Sequence, residues 1–126
     1  MTLSRRKARR QALFLLYQWD LSGQEIGSQY AGEIDPWARG VAEAVAQRAE
    51  QLDARITGAS EGWTADRLGT VERSALRVAV HELQTGEIPA EVAINEAVAF
   101  AKRYASEEGA RLVNGILGRI QREEAA

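Results

Sequence analysis

Cysteine is absent from this 126-residue chain, and histidine occurs once, as His81. The first absence excludes disulfides, a thiol nucleophile and any cysteine-based zinc site. The second excludes a histidine-based metal cluster. No serine sits in a nucleophile-elbow pattern, and no glycine-rich segment is suited to a cofactor. No apolar run approaches the ~20 residues of a membrane-spanning helix. The basic start is not followed by the apolar stretch and small-residue cleavage site of a signal peptide, so cytoplasmic residence is expected. Together these absences argue against catalysis and against a cofactor or resident metal.

What is present is an ordinary soluble composition, 45% hydrophobic and 27% charged, in a length that suits one domain with a real core. The net charge of −2 conceals an asymmetry. Residues 1–20 carry five basic groups and one acid, for +4; the remaining 106 carry eleven basic groups and seventeen acids, for −6. The five cations are Arg5, Arg6, Lys7, Arg9 and Arg10, and the first acid is Asp20. An acidic body with a basic start confines contact with a polyanion to one end. A solvated helix start or a disordered tail is the plain alternative.

Every long periodic stretch has the helical period, and none alternates as a strand does. Ser4 is placed to cap a first helix that ends at Ser22-Gly23, with Ala8, Ala12, Leu15, Leu16 and Trp19 inward. Residues 22–34 read as a loop, the most mobile part. Asp35-Pro36 opens a helix reaching about Ile56, with Trp37, Val41, Val45, Leu52 and Ile56 inward. A short turn follows Trp63-Thr64. Thr70 then caps a helix over about 71–85 that Gly86 closes. Pro89 starts another to about Ala105, and Ser106 caps a last one to about Arg122. The pattern predicts one all-α helical bundle over 1–126.

The cations sit where the helix macrodipole disfavours them, by a few tenths of a kcal/mol each. Local electrostatics that run the wrong way point to an anionic partner, and phosphate is the commonest. Arg6, Arg10 and Tyr17 share one face with Leu13 between them; Arg5 and Arg9 flank it nearer the core. Guanidinium forks followed by an aromatic ring suit single-stranded RNA, although Tyr17 would serve equally as a half-buried core tyrosine. On the helix from Val71, the polar side carries Arg73, Arg77, His81 and Gln84. Glu72 and Glu82 fall in the apolar arc, so each is paired internally, lies in an interface or bends into solvent. In the last helix, Gly115 and Gly118 lie near the polar side with Arg111 and Asn114, which suggests close approach by another backbone or a ligand.

The chain resembles the bacterial transcription antitermination factor NusB family. The runs that carry the resemblance are Ala8-Arg9-Arg10-Gln11-Ala12-Leu13, Leu16-Tyr17-Gln18-Trp19-Asp20, Glu72-Arg73-Ser74-Ala75-Leu76-Arg77, Val92-Ala93-Ile94-Asn95-Glu96-Ala97-Val98 and Leu112-Val113-Asn114-Gly115-Ile116-Leu117. The resemblance implies a bundle of six to seven helices in two subbundles, and a protein that binds boxA-type RNA together with the small-subunit ribosomal protein NusE. Such proteins join RNA polymerase antitermination complexes during ribosomal RNA transcription.

Carried onto this chain, the family's RNA surface falls on Arg5, Arg6, Lys7, Arg9, Arg10 and Tyr17, with Arg77 and Arg111 as weaker candidates. The NusE contact falls on Glu72, Arg73, His81 and Glu82. Leu112 stands where many members have Phe, and His81 where Tyr is common. Two other readings stay open: a stand-alone domain of the kind fused to ribosomal RNA methyltransferases, and a structural helical interaction module. A monomer and a homodimer are both compatible with the sequence; a dimer would cover the basic face.

Overall fold

The computed structural model describes residues 3–125. Its described residues form six α-helices and one 3-10 turn, with no strand. The helices are α1 (Arg5–Ser22), α2 (Pro36–Gln47), α3 (Ala49–Ala59), α4 (Thr70–Thr85), α5 (Ala90–Tyr104) and α6 (Glu107–Ala125); the 3-10 turn (Ala65–Arg67) precedes α4.

Most helix ends follow from local chemistry. The Ser4 hydroxyl accepts from the Lys7 amide at the start of α1, and Gly23 closes that helix in the left-handed conformation at φ 71°. The Asp35 carboxylate accepts from the Trp37 and Ala38 amides at the start of α2. It also accepts from the Leu3 amide, the largest of the effects holding its pKa below the usual carboxylate value. Gly86 ends α4 at φ 69°, and the Ser106 hydroxyl accepts from the Gly109 amide in the first turn of α6. The 23–35 connection is tethered to α1 by Gln11. Its amide nitrogen donates to the Tyr30 hydroxyl and the Glu33 carbonyl, and its oxygen accepts from the Asp35 amide.

Three boundaries differ from the sequence expectation. The helix expected over 36–56 breaks at Arg48, whose backbone leaves helical values at φ −102° and ψ 11°. The Arg48 amide bonds back to Val45, a tightened turn, while its side chain reaches across to α4. Thr70 lies inside α4 rather than capping it. Gly69 takes that position without a side-chain cap, and the Glu72 carboxylate lies against Gly69 instead. Helix α6 continues past Arg122 because Arg55 of α3 reaches Glu123 at 2.9 Å and Glu124 at 3.3 Å.

Helix α4 organises the bundle. It packs on α1, α2, α3, α5 and α6, so that the α1–α2 and α5–α6 pairs meet across it. Residues 74–80 are buried without interruption. The polar side expected on α4 is therefore largely covered, with Arg77 buried, Arg73 and His81 half-buried and Gln84 exposed. Arg77 is 7% exposed in its side chain and clasps Asp53 of α3 bidentately at 2.8 and 2.7 Å. Arg73 donates to Asp20 of α1 through two nitrogens at 2.9 and 2.7 Å, and to the Ala65 and Leu68 carbonyls. Both arginines, expected at RNA and partner surfaces respectively, instead lock α1, α3 and the 3-10 turn onto α4. The exposed roles expected of them are corrected for that reason: both guanidiniums are already committed to carboxylates of neighbouring helices.

The glycines of α6 also depart from expectation. Nothing lies within 4 Å of where a Gly115 side chain would begin, and only the Arg122 guanidinium approaches Gly118. Neither is a close helix contact within the domain. The tight glycine is Gly109, where an added carbon would meet the Glu72 carboxylate at 2.9 Å.

The two kinds of ion pair should separate in stability measurements. Arg73→Ala leaves the largely buried Asp20 with only the longer Arg77 contact at 3.6 Å and is expected to cost about 3 kcal/mol. Arg55→Ala breaks pairs with half-exposed acids and is expected to cost less than about 1 kcal/mol. Urea unfolding of both variants decides; equal losses would contradict the distinction between locked and surface pairs.

Candidate nucleic-acid interface

The basic segment folds as the first two turns of α1, and its five cations do not share one fate. Arg9 turns inward. Its Nε donates to Glu82 of α4 at 2.7 Å, with the two side chains 6% and 9% exposed. Its guanidinium also lies 5.7 Å from the Trp37 ring centroid. Arg5 also lies over that ring, 4.1 Å from its centroid, and is drawn toward α2. Lys7 is exposed.

Arg6 and Arg10 point away from the core into a groove of about 300 Å³ between α1 and α5. Arg6 has only a loose partner, Glu96 at 3.5 Å, and its side chain is 69% exposed. Arg10 is exposed and has no ion pair among the described residues. Leu13, expected on the same face, lines the groove with them. Tyr17 is half-buried farther along the same helix.

The opposite wall was not singled out in the sequence. It is the last turn of α5: Lys102, Arg103 and Tyr104. Two cations at a helix C-terminus suit its dipole, so nothing local marked them as unusual. Phe14 packs edge to face on Phe100 and Tyr104 at 5.5 and 5.0 Å between centroids, those two rings meet tilted at 4.9 Å, and the trio holds the two walls together. Tyr104 remains 38% exposed at the rim. The signal was Phe14 on α1, a ring that needs aromatic or aliphatic company on whichever helix it faces.

The expected partner cluster is dispersed. Glu82 takes the internal-pair alternative with Arg9, so its place in the apolar arc has an explanation that needs no partner. Burial pushes its carboxyl pKa up, against the hydrogen bond and charge of Arg9, and Glu96 and Glu87 add to the rise. Glu72 is half-buried against Gly69 and Gly109. His81 is half-buried, with Arg48 Nη1 at 2.7 Å from its Nδ1; Arg48 also donates to Gln84. Burial and then the Arg48 charge lower the His81 pKa, with Glu87 opposing. Arg111 of α6 is exposed and unpaired among the described residues.

The arrangement can hold a flexible polyanion. Unpaired or loosely paired cations on two walls, a partly apolar floor and an aromatic rim are what single-stranded RNA uses for phosphate and base contact. It presents no set of metal ligands among the described residues.

Two measurements probe the geometry. Arg9→Ala and Glu82→Ala should each cost about 3–5 kcal/mol by leaving a buried charge alone, whereas Arg9→Met with Glu82→Leu should recover most of that loss. A double variant as unstable as the sum of the singles would deny the pair its role. His81 is the chain's only histidine, so NMR gives one imidazole titration. Its midpoint should lie below the usual ~6.5 and rise in Arg48→Ala. Since the folded pKa is the lower one, the group's stabilising contribution is present above ~6.5 and lost as pH falls through the folded value. A midpoint above ~6.5 contradicts the contact.

The comparisons agree with this architecture. The family model described as "NusB family" matches residues 6–122. A Rubrobacter xylanophilus protein named transcription antitermination protein NusB is 43% identical, covering 91% of this chain and 88% of its own length. One of the same name from Salinispora tropica is 41% identical, over 93% and 94%. Among solved structures, T. maritima NusB superposes with a TM-score of 0.84 at 32% identity, over 98% of this chain and 94% of that one. A structure of antitermination factors NusB and NusE in complex with dsRNA matches with a TM-score of 0.81 at 29% identity, over 94% and 96%. The chain belongs to the NusB family.

Proposed function

We propose that this member of the NusB family is an RNA-binding transcription antitermination factor. It binds boxA-type single-stranded RNA together with the ribosomal protein NusE and supports ribosomal RNA transcription within an RNA polymerase antitermination complex. The observation that carries the proposal is the groove between α1 and α5, where Arg6, Arg10 and Lys102 stand exposed around an aromatic rim. The names of the relatives and the NusB–NusE–RNA complex among the structural neighbours support it.

The role is that of a scaffold rather than an enzyme, carried out in the cytoplasm. RNA and NusE share a composite surface, so each strengthens the other's binding by the same factor. Arg6, Lys7 and Arg10 supply phosphate contacts on α1, with Tyr17 farther along that helix and Arg5 at its edge. Arg9 serves by fixing the rotation of α1. Glu72 and His81, both partly accessible, are the partner-facing candidates of α4.

Each phosphate contact to a single strand contributes about 0.7 to the slope of log affinity against log salt. Arg6→Ala with Arg10→Ala should therefore flatten that slope by roughly 1.4. It should weaken a boxA-type RNA at least ~10-fold, about 1.4 kcal/mol. Titrations with and without NusE, at several salt concentrations, measure both. Unchanged affinity and slope would remove α1 from the RNA site.

A further inference from the structure

The α1–α5 groove does not end at α5. Lys102 also borders a second groove, between α5 and α6, which Arg111 and Asn114 line from the other side. Arg111 in turn borders a third groove, between α6 and the segment joining α3 to the 3-10 turn. Neighbouring grooves thus share one cation at each border, Lys102 and then Arg111.

The third groove is built unlike an ordinary surface. Arg111, Gly115, Arg119 and Arg122 lie along one side of α6, a run of roughly 16 Å at 1.5 Å per residue. Trp63 faces them from the opposite wall, 51% exposed, with the Arg67 guanidinium 6.0 Å from its ring centroid. The Ser60 hydroxyl donates to the Trp63 carbonyl and holds the segment in place. Gly115 costs its helix about 1 kcal/mol against alanine, yet no neighbour within 4 Å requires it. The glycine leaves that stretch of the groove without a side chain.

The charges select the occupant. Arg111 and Arg122 have no ion pair among the described residues, whereas the rim acid Glu61 is already held by Arg119 at 3.4 Å. The lining around the ring is mixed, with Ala59, Leu112 and Ile116 beside Ser60, Glu61 and three arginines, so the choice of occupant rests on the cations. A flat ring with free guanidinium forks nearby suits a base and its phosphate.

We propose that a single strand of RNA runs from the α1–α5 groove past Lys102 and Arg111 into this third groove, where a base stacks on Trp63 and its phosphate is held by Arg111 and Arg122. The track rests on the reading of α1 as an RNA surface.

The test compares a short boxA-type RNA with the same RNA carrying single-stranded flanks on both sides. The proteins are the wild type, Arg6→Ala with Arg10→Ala, and Trp63→Leu with Arg122→Gln. Flanks should tighten wild-type binding roughly tenfold, the scale of one stacked base. The Trp63 variant should lose that gain while keeping its affinity for the short RNA. Flanked RNA should also quench a component of the indole fluorescence that Trp63→Leu removes. Arg122→Gln alone, changing only an exposed side chain, provides the same reading should Trp63→Leu fail to fold.

No gain from flanks, or a gain that survives both groove variants, overturns the track and leaves the α1 reading intact. Short-RNA binding indifferent to Arg6 and Arg10 overturns the α1 reading, and the track with it. A groove variant that weakens NusE binding but keeps the flank gain makes this a protein-docking surface, which also overturns the proposal.

Discussion

A charge buried inside a helical bundle must find its partner on another helix, and in this protein that requirement decides how the helices are turned. Helix α4 is surrounded by the other five yet carries Arg73, Arg77 and Glu82. An isolated charge in such a place costs several kcal/mol, so each is met from outside: Glu82 by Arg9 of α1, Arg77 by Asp53 of α3, Arg73 by Asp20 of α1. Apolar packing alone tolerates small rotations of a helix, whereas a hydrogen-bonded ion pair at 2.7 Å does not. Two such pairs, near the start and the end of α1, set that helix in one orientation.

The consequence for function is indirect but decisive. Arg9 and Arg10 are neighbours in sequence and about 100° apart on the helix. With Arg9 committed to Glu82, Arg6 and Arg10 are driven outward toward α5, and Arg5 swings back onto Trp37. A cluster of five cations is thereby divided into a structural one, an edge one and three that face solvent. The α5 wall is held at the right distance by the Phe14–Phe100–Tyr104 contacts, which are apolar and indifferent to salt. The groove is built by interactions that keep their strength under the ionic conditions that modulate its ligand.

Much of the fold was legible because it depends on neighbours in the chain. Ser4, Gly23, Asp35, Gly86 and Ser106 terminate helices as their side chains or φ values dictate. The break at Arg48 was not legible, since the residue is an ordinary helix former and its turn accompanies a reach to His81 on another helix. Thr70 looked like a cap because its hydroxyl suits that place, but Gly69 holds it. The site was half legible. Arg6 and Arg10 stood out by opposing the dipole, and Lys102 and Arg103 did not because they agree with it.

What the sequence determined by itself is the all-helical architecture, the helix limits to within a turn apart from the break at Arg48, the apolar faces and a basic start at odds with its own helix. All of these are set by interactions within a few residues. Only the tertiary structure decided that most of α4 is covered, that Arg9 and Arg77 serve the interior, and that α5 completes the groove α1 begins. The reason is physical: whether a charged side chain meets water or a partner depends on what other helices place beside it, and periodicity within one helix carries no record of them.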